Sequence, residues 1–156
     1  MLGVSACLAG IRCRYDGDHN QDDSLRKLVS EGKAIMICPE VLGGLPTPRT
    51  PAEIVGGDGF DVWDDGANVV DKSGKDVTDM YKSGAITAYK ELERLDVTHL
   101  ILKERSPSCG SQLIYDGTFS GIRRMGVGVA SAYFMKKGIR VLSEENWVGE
   151  VEFYGD

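Results

Sequence analysis

The residues of this 156-residue chain best suited to chemistry are its four cysteines, Cys7, Cys13, Cys38 and Cys109, spaced C-x5-C-x24-C-x70-C. With no CxxC pair, the pattern matches neither a zinc ribbon, a thioredoxin motif nor a ferredoxin run. Their neighbours say more. LGVSAC ends in Cys7, AIMIC ends in Cys38, and Cys109 lies in SPSCGS a few residues beyond VTHLIL. These apolar runs have strand length and are nearly continuous, which predicts strands covered on both faces. In an open parallel sheet the C-terminal strand ends share one edge, and ligands bind there beside the switch in strand order. Cys7, Cys38 and Cys109 are therefore predicted to converge. Three thiolates suit a centre with one open position, either a 4Fe-4S cluster with a unique iron or a catalytic zinc. His19 falls in a polar loop and His99 inside a strand, so a sulfur-only set leans toward iron. Free cysteines are also common core residues, a reading that serves any one of them better than three at equivalent strand ends.

Several elements must position these thiols. Leu25, Leu28 and Val29 recur at i, i+3, i+4 in a short helix over 24–31, with Asp22, Asp23 or Ser24 as N-cap and Gly32 as the stop. Tyr81, Ala85, Ala88, Leu92 and Leu95 form the stripe of a helix over 78–95. A third helix over 127–137 buries Val129, Ala130, Tyr133 and Phe134 and ends at Gly138, and IRVL (139–142) is the last core strand. Apolar segments flanking Asp65-Gly66 in 60–71 and Asp116-Gly117 in 112–121 read as two hairpins. The expected fold class is α/β. It is one three-layer domain over 1–156, with a mainly parallel four-stranded, Rossmann-like sheet and two β-hairpin insertions.

A net charge of −6 and a pI near 5.0 argue against binding through a broad basic field, so duplex nucleic acid is not an expected partner. The N-terminus lacks a basic n-region, and no apolar run approaches a membrane span. The expectation is a soluble, cytoplasmic protein without a membrane partner, whose thiols are ligands, nucleophiles or core residues rather than disulfides. No sequence feature specifies an oligomeric state.

The segments VSACLAGIRCRYDG (4–17), CPEVLGGLPTPRTPAEI (38–54), DVT (76–78), LKERSPSCGS (102–111) and GVGVAS (126–131) together resemble the uncharacterised-domain family numbered 523. Its functionally described members are thiouracil desulfidases. The resemblance runs over essentially the whole chain, and SACL, CPE and SPSCG in that order are its specific blocks. It implies a 4Fe-4S enzyme that removes sulfur from a small thiolated pyrimidine, base or nucleoside, with Cys7, Cys38 and Cys109 as cluster ligands. An iron without a protein ligand is a soft Lewis acid able to bind the exocyclic sulfur and activate the ring carbon toward water. Glu40, two residues after Cys38, is the candidate base for that water, against the reading of an ion-paired carboxylate. Ser106 and Ser108 are candidates for proton relay or for binding a ring heteroatom, with Ser106 slightly preferred; local turn bonding is their plainer role.

Cys13 reads as a fourth ligand, as a thiol that holds the extracted sulfur, or as a loop residue, the last being preferred. Arg14 and Tyr15 supply a cation and a ring for substrate, against surface pairing and packing. GVGVAS is a weak dinucleotide fingerprint because SGIRRM before it does not read as a strand. Its Gly126 and Gly128 could instead bare amides for an anion beside Arg123 and Arg124, or permit close helix packing. Arg49, in the proline-rich run 45–51, reads as a solvated charge more readily than an anion contact. Two rival functions stay open: a module binding a small anion or metabolite with a zinc or metal-free cysteine site, and a thiol-based sulfur carrier.

Overall fold

The computed structural model describes residues 1–150. Four parallel strands make the central sheet: β1 (Leu2–Ser5), β2 (Ala34–Ile37), β5 (His99–Leu102) and β8 (Arg140–Ser143), in the order β2-β1-β5-β8. Leu2 sits opposite Ala34 on one side and His99 on the other, and His99 in turn opposite Arg140. The order reverses at β1. The chain leaves β1 toward β2 through α1 (Asp23–Ser30), and all later core strands add on the other side.

Alternation along the strands divides the core between two faces. Leu2, Val4, Ala34, Ile101 and Leu142 pack against Leu25 and Leu28 of α1. Ile37, Leu100, Leu102 and Ile139 pack against α4 (Thr78–Arg94) and α5 (Val129–Lys136) through Ala85, Ala88, Leu92, Ala130 and Phe134. This is the expected three-layer α/β arrangement. The side chain of Asp22 caps α1, accepting from Leu25 N at 3.2 Å.

The insertions depart from expectation in their details. Residues 60–71 are not a hairpin. Gly59–Trp63 forms α3, because Asp58 and Asp61 make a reciprocal capping box at its start. The strand β4 (Asn68–Asp71) then pairs antiparallel with the earlier β3 (Ala52–Val55). The second insertion is a hairpin, but β6 (Leu113–Tyr115) pairs with β7 (Arg123–Met125), so residues 116–122 close it rather than a two-residue turn. Part of SGIRRM is thus a strand. β7 is exposed throughout and lies outside the main sheet, so it does not supply the parallel strand that a dinucleotide fold would need. A third apolar cluster, including Ile54, Val62, Val69, Tyr81, Ile114 and Val129, binds the β3–β4 and β6–β7 pairs to α3, α4 and α5.

Candidate active site

Each cysteine is placed by the end of a core strand. After Ser5 the chain enters a 3-10 turn, Ala6–Ala9, which carries Cys7 and closes on Gly10 at φ 97°. The Cys7 carbonyl accepts from Asn20 N at 2.9 Å, folding the Cys13 loop back over the sheet edge. Cys38 is the N-cap of α2 (Pro39–Leu42), a short helix that sequence periodicity does not reveal. Cys109 lies in a loop organised by Glu104, only 2% exposed, whose carboxylate accepts from Ser111 N and Oγ and from the N–H groups of Gln112 and Leu113 at 2.8–3.1 Å. Burial alone would raise the Glu104 pKa, but those hydrogen bonds hold it below the ordinary carboxylate value.

The three loops and the LPTPRTP segment enclose a cavity of about 460 Å³ at the C-terminal ends of β1, β2 and β5. Cys7, Cys13, Cys38 and Cys109 all line it, with Arg14, Tyr15, Glu40 and Ser106. Cys13, Cys7 and Cys109 are each at most 8% exposed. Cys13 shares side-chain hydrogen bonds with both Cys38 and Cys7. The Cys38 contact favours its thiolate, but Cys7 and burial outweigh that and push its pKa up to about 11. The hydrogen bond to Cys13 and burial raise Cys38 further. Burial, followed by the nearby Glu40 and Cys38, raises Cys109 against the opposing hydroxyls of Ser108 and Ser5. Without a cation the thiols of Cys13, Cys38 and Cys109 stay protonated; metal binding supplies the charge that ionises a thiol ligand.

Glu40 is held from several directions. Arg49 donates to its Oε2 through Nε at 2.9 Å and also through Nη2. The pair is nearly enclosed, with the Arg49 side chain 6% exposed and that of Glu40 12%. Burial alone would make Arg49 less basic, and the Glu40 charge, the hydrogen bonds to it and the nearby Tyr81 and Cys38 together more than offset this. Arg49 also donates to the Cys13 carbonyl at 3.0 Å, to Pro46 O and to Thr47 Oγ1, tying its own loop to the first cysteine loop. Arg49 is therefore a buried clamp and not a solvated charge. The opposite oxygen, Oε1, accepts from Ser106 Oγ at 3.3 Å. Tyr81, 4% exposed, lies beside Glu40 as well, and burial followed by the Glu40 charge raises its pKa. In sequence Tyr81 is only one member of a helix stripe.

The two serines have separate places. Ser106 Oγ accepts from the N–H groups of Ser108 and Cys109 at 3.1 Å each, so it both shapes the cysteine turn and reaches Glu40. Ser108, 1% exposed, is not among the cavity-lining residues; its Oγ lacks a well-formed hydrogen bond and sits beside the Cys109 thiol. Arg14 donates to Asn20 Oδ1 at 3.1 Å and its guanidinium carbon lies 5.7 Å from the Tyr15 ring centre. Gly126 and Gly128 do not offer their amides to an anion. Those N–H groups, with Val129 N and Ala130 N, donate to the carbonyls of Gln112, Gly110, Pro107 and Ser108. A Cβ on Gly128 would lie 2.4 Å from Ser108 O, so this glycine serves close packing of α5 on the cysteine loop.

The donor set fits an iron–sulfur cluster. Among the described residues no three or more Cys, His, Asp or Glu side chains form a pocket for a single metal ion. Cysteine thiolates are the usual protein ligands of an iron–sulfur cluster, and thiols from the ends of three strands gathered on one cavity supply them. No helix among the described residues is long and apolar enough to cross a membrane.

The profile of a family described as 2-thiouracil desulfurase matches residues 2–146. An uncharacterized protein, YbbK, of Bacillus subtilis (strain 168) is 51% identical over 144 residues, 92% of this chain and 95% of that protein. A solved structure described as the [4Fe-4S]-dependent thiouracil desulfidase TudS (DUF523Vcz) superposes with a TM-score of 0.84 at 41% identity, covering 97% of this chain and 95% of the other.

Proposed function

The chain belongs to the 2-thiouracil desulfurase family, and from that premise we propose that it is a desulfidase that exchanges the sulfur of a thiolated pyrimidine for oxygen. The overall change is C=S plus water to C=O plus hydrogen sulfide. Cys7, Cys38 and Cys109 would hold a 4Fe-4S cluster, with Cys13 beside them. A bound cluster supplies a Lewis-acid iron for the substrate sulfur.

The chain's own residues do the rest. The single observation that supports this reading is the placement of Glu40 and Ser106 in the same cavity wall as the thiols, 3.3 Å apart. Glu40 Oε2 is engaged by Arg49, which leaves Oε1 as the oxygen that takes a proton from the attacking water. The Ser106 hydroxyl, fixed by two backbone N–H donors, orients that water or passes its proton. Arg49 and Tyr81 keep the carboxylate in one rotamer so that it meets the water without rearrangement.

The test is anaerobic reconstitution with iron and sulfide, followed by iron quantification and measurement of sulfide release from 2-thiouracil on the same sample. Wild type should carry about four irons per chain with visible charge-transfer absorption. The triple Cys7, Cys38, Cys109→Ala variant should carry none. Glu40→Gln should keep iron and colour and lose most turnover. A wild type as colourless as the triple variant overturns the cluster, and full activity in Glu40→Gln overturns the base.

A further inference from the structure

The loop closing the second hairpin holds an aromatic ring toward the cavity in an unfavourable conformation. Phe119 sits in the left-handed region at φ 56°, which a bulky side chain adopts only when its surroundings impose it. Core packing does not impose it. Among the described residues Phe119 belongs to none of the three apolar clusters, yet it lines the cavity. What holds it is Glu53 on β3, whose Oε1 accepts from Gly117 N at 2.9 Å and from Phe119 N at 3.2 Å. Gly117, at φ 93°, lies so close to β3 that a Cβ there would be 2.6 Å from Ile54 O. Asp116 Oδ1 then accepts from Thr118 N at 3.0 Å, closing the turn that precedes the ring.

A latched aromatic without a core partner, on a cavity whose buried wall carries thiols and a carboxylate, has the geometry of a stacking wall. We propose that Phe119 stacks on the planar heteroaromatic ring of the substrate and that Glu53 is the positioning residue that holds it there. The identity of the ring, a pyrimidine with its thiocarbonyl toward the cysteines, rests on the desulfidase reading. The stacking subsite itself rests on Phe119 and Glu53. A ring face touched away from the reacting bond is touched equally before and during reaction, so the contact governs binding and leaves the chemical step alone. Removing an aromatic partner from a stacked base typically weakens binding by roughly 5- to 150-fold.

The experiment uses the full, cluster-loaded chain, with 2-thiouracil as the reacting probe and uracil as the non-reacting one. Phe119→Leu should raise the KM for 2-thiouracil and the Kd for uracil by about ten-fold, with kcat and iron content unchanged. Phe119→Tyr should behave like wild type, and Glu53→Ala should share the loss in binding. Phe119→Gly should lose binding while melting no lower than wild type, because glycine accepts the positive φ. Should Phe119→Leu fail to fold, Glu53→Ala and Phe119→Gly carry the comparison. Unchanged uracil binding in these variants, equal losses in Phe119→Leu and Phe119→Tyr, or a wild type that binds no uracil overturns the proposal. A wild type that releases no sulfide but binds uracil through Phe119 overturns the desulfidase reading and supports this one.

Discussion

In the proposed reaction one carboxylate, Glu40, is divided between structure and chemistry. Its Oε2 belongs to the Arg49 fork, and its Oε1 accepts from Ser106. Arg49→Ala should release both Glu40 and the Cys13 carbonyl and lower sulfide release by about 10–100-fold with iron retained, the scale usual for loss of a supporting contact. Arg49→Lys should recover only part of this, since an ammonium cannot reproduce a planar two-point contact. Paired turnover and iron assays check both. The sequence makes Glu40 conspicuous through CPE, but it hides its partners. An arginine nine residues on in a proline-rich run and a tyrosine on a remote helix have no sequence relation to Glu40 that would mark them. Glu53 and Phe119 stay hidden for the same reason, since their contact joins β3 to the loop of the separate β6–β7 hairpin.

At the scale of elements, the placement of Cys38 and Glu40 depends on how closely α2 lies on α4. A Cβ on Gly84 would fall 2.0 Å from Pro39 O, and one on Gly43 would fall 2.1 Å from Met80 O, so two backbones meet where side chains are missing. Gly84→Ala should cost about 1–3 kcal/mol in denaturant unfolding and reduce iron retention, because the short helix after Cys38 must move away. The long helix α4 is legible from its apolar stripe; α2, with four residues, carries no period at all. The hairpin expected at Asp65-Gly66 fails for a related reason: a local turn signal competed with a capping box whose two aspartates start a helix.

For the molecule as a whole, the cysteine edge is held together by buried charge as well as by the sheet. Glu104 has its pKa below the ordinary carboxylate value of 4.5, so its contribution is complete above that value and is lost as pH falls through its lower native value. Glu104→Gln should cost roughly 2–3 kcal/mol at pH 7, and the gap to wild type should close in acid melts as the native carboxylate protonates. With Cys7, Cys38 and Cys109 as the proposed ligands, removing the cluster with a chelator under anoxia should lower Tm by about 5–10 °C, because the loops after three different strands would lose their common tie. The sequence by itself determined the strand and helix alternation, the three-layer α/β class and the arrival of three cysteines at one sheet edge, because side-chain periodicity and strand polarity are local properties. Only the tertiary structure decided that Cys13 joins them, that Gly128 is a packing contact, and that Ser106 and not Ser108 lines the cavity, together with Arg49, Tyr81, Glu53 and Phe119. Those assignments are set by which loops meet across the ends of the sheet and by hydrogen bonds between residues far apart in the chain, which no local pattern encodes.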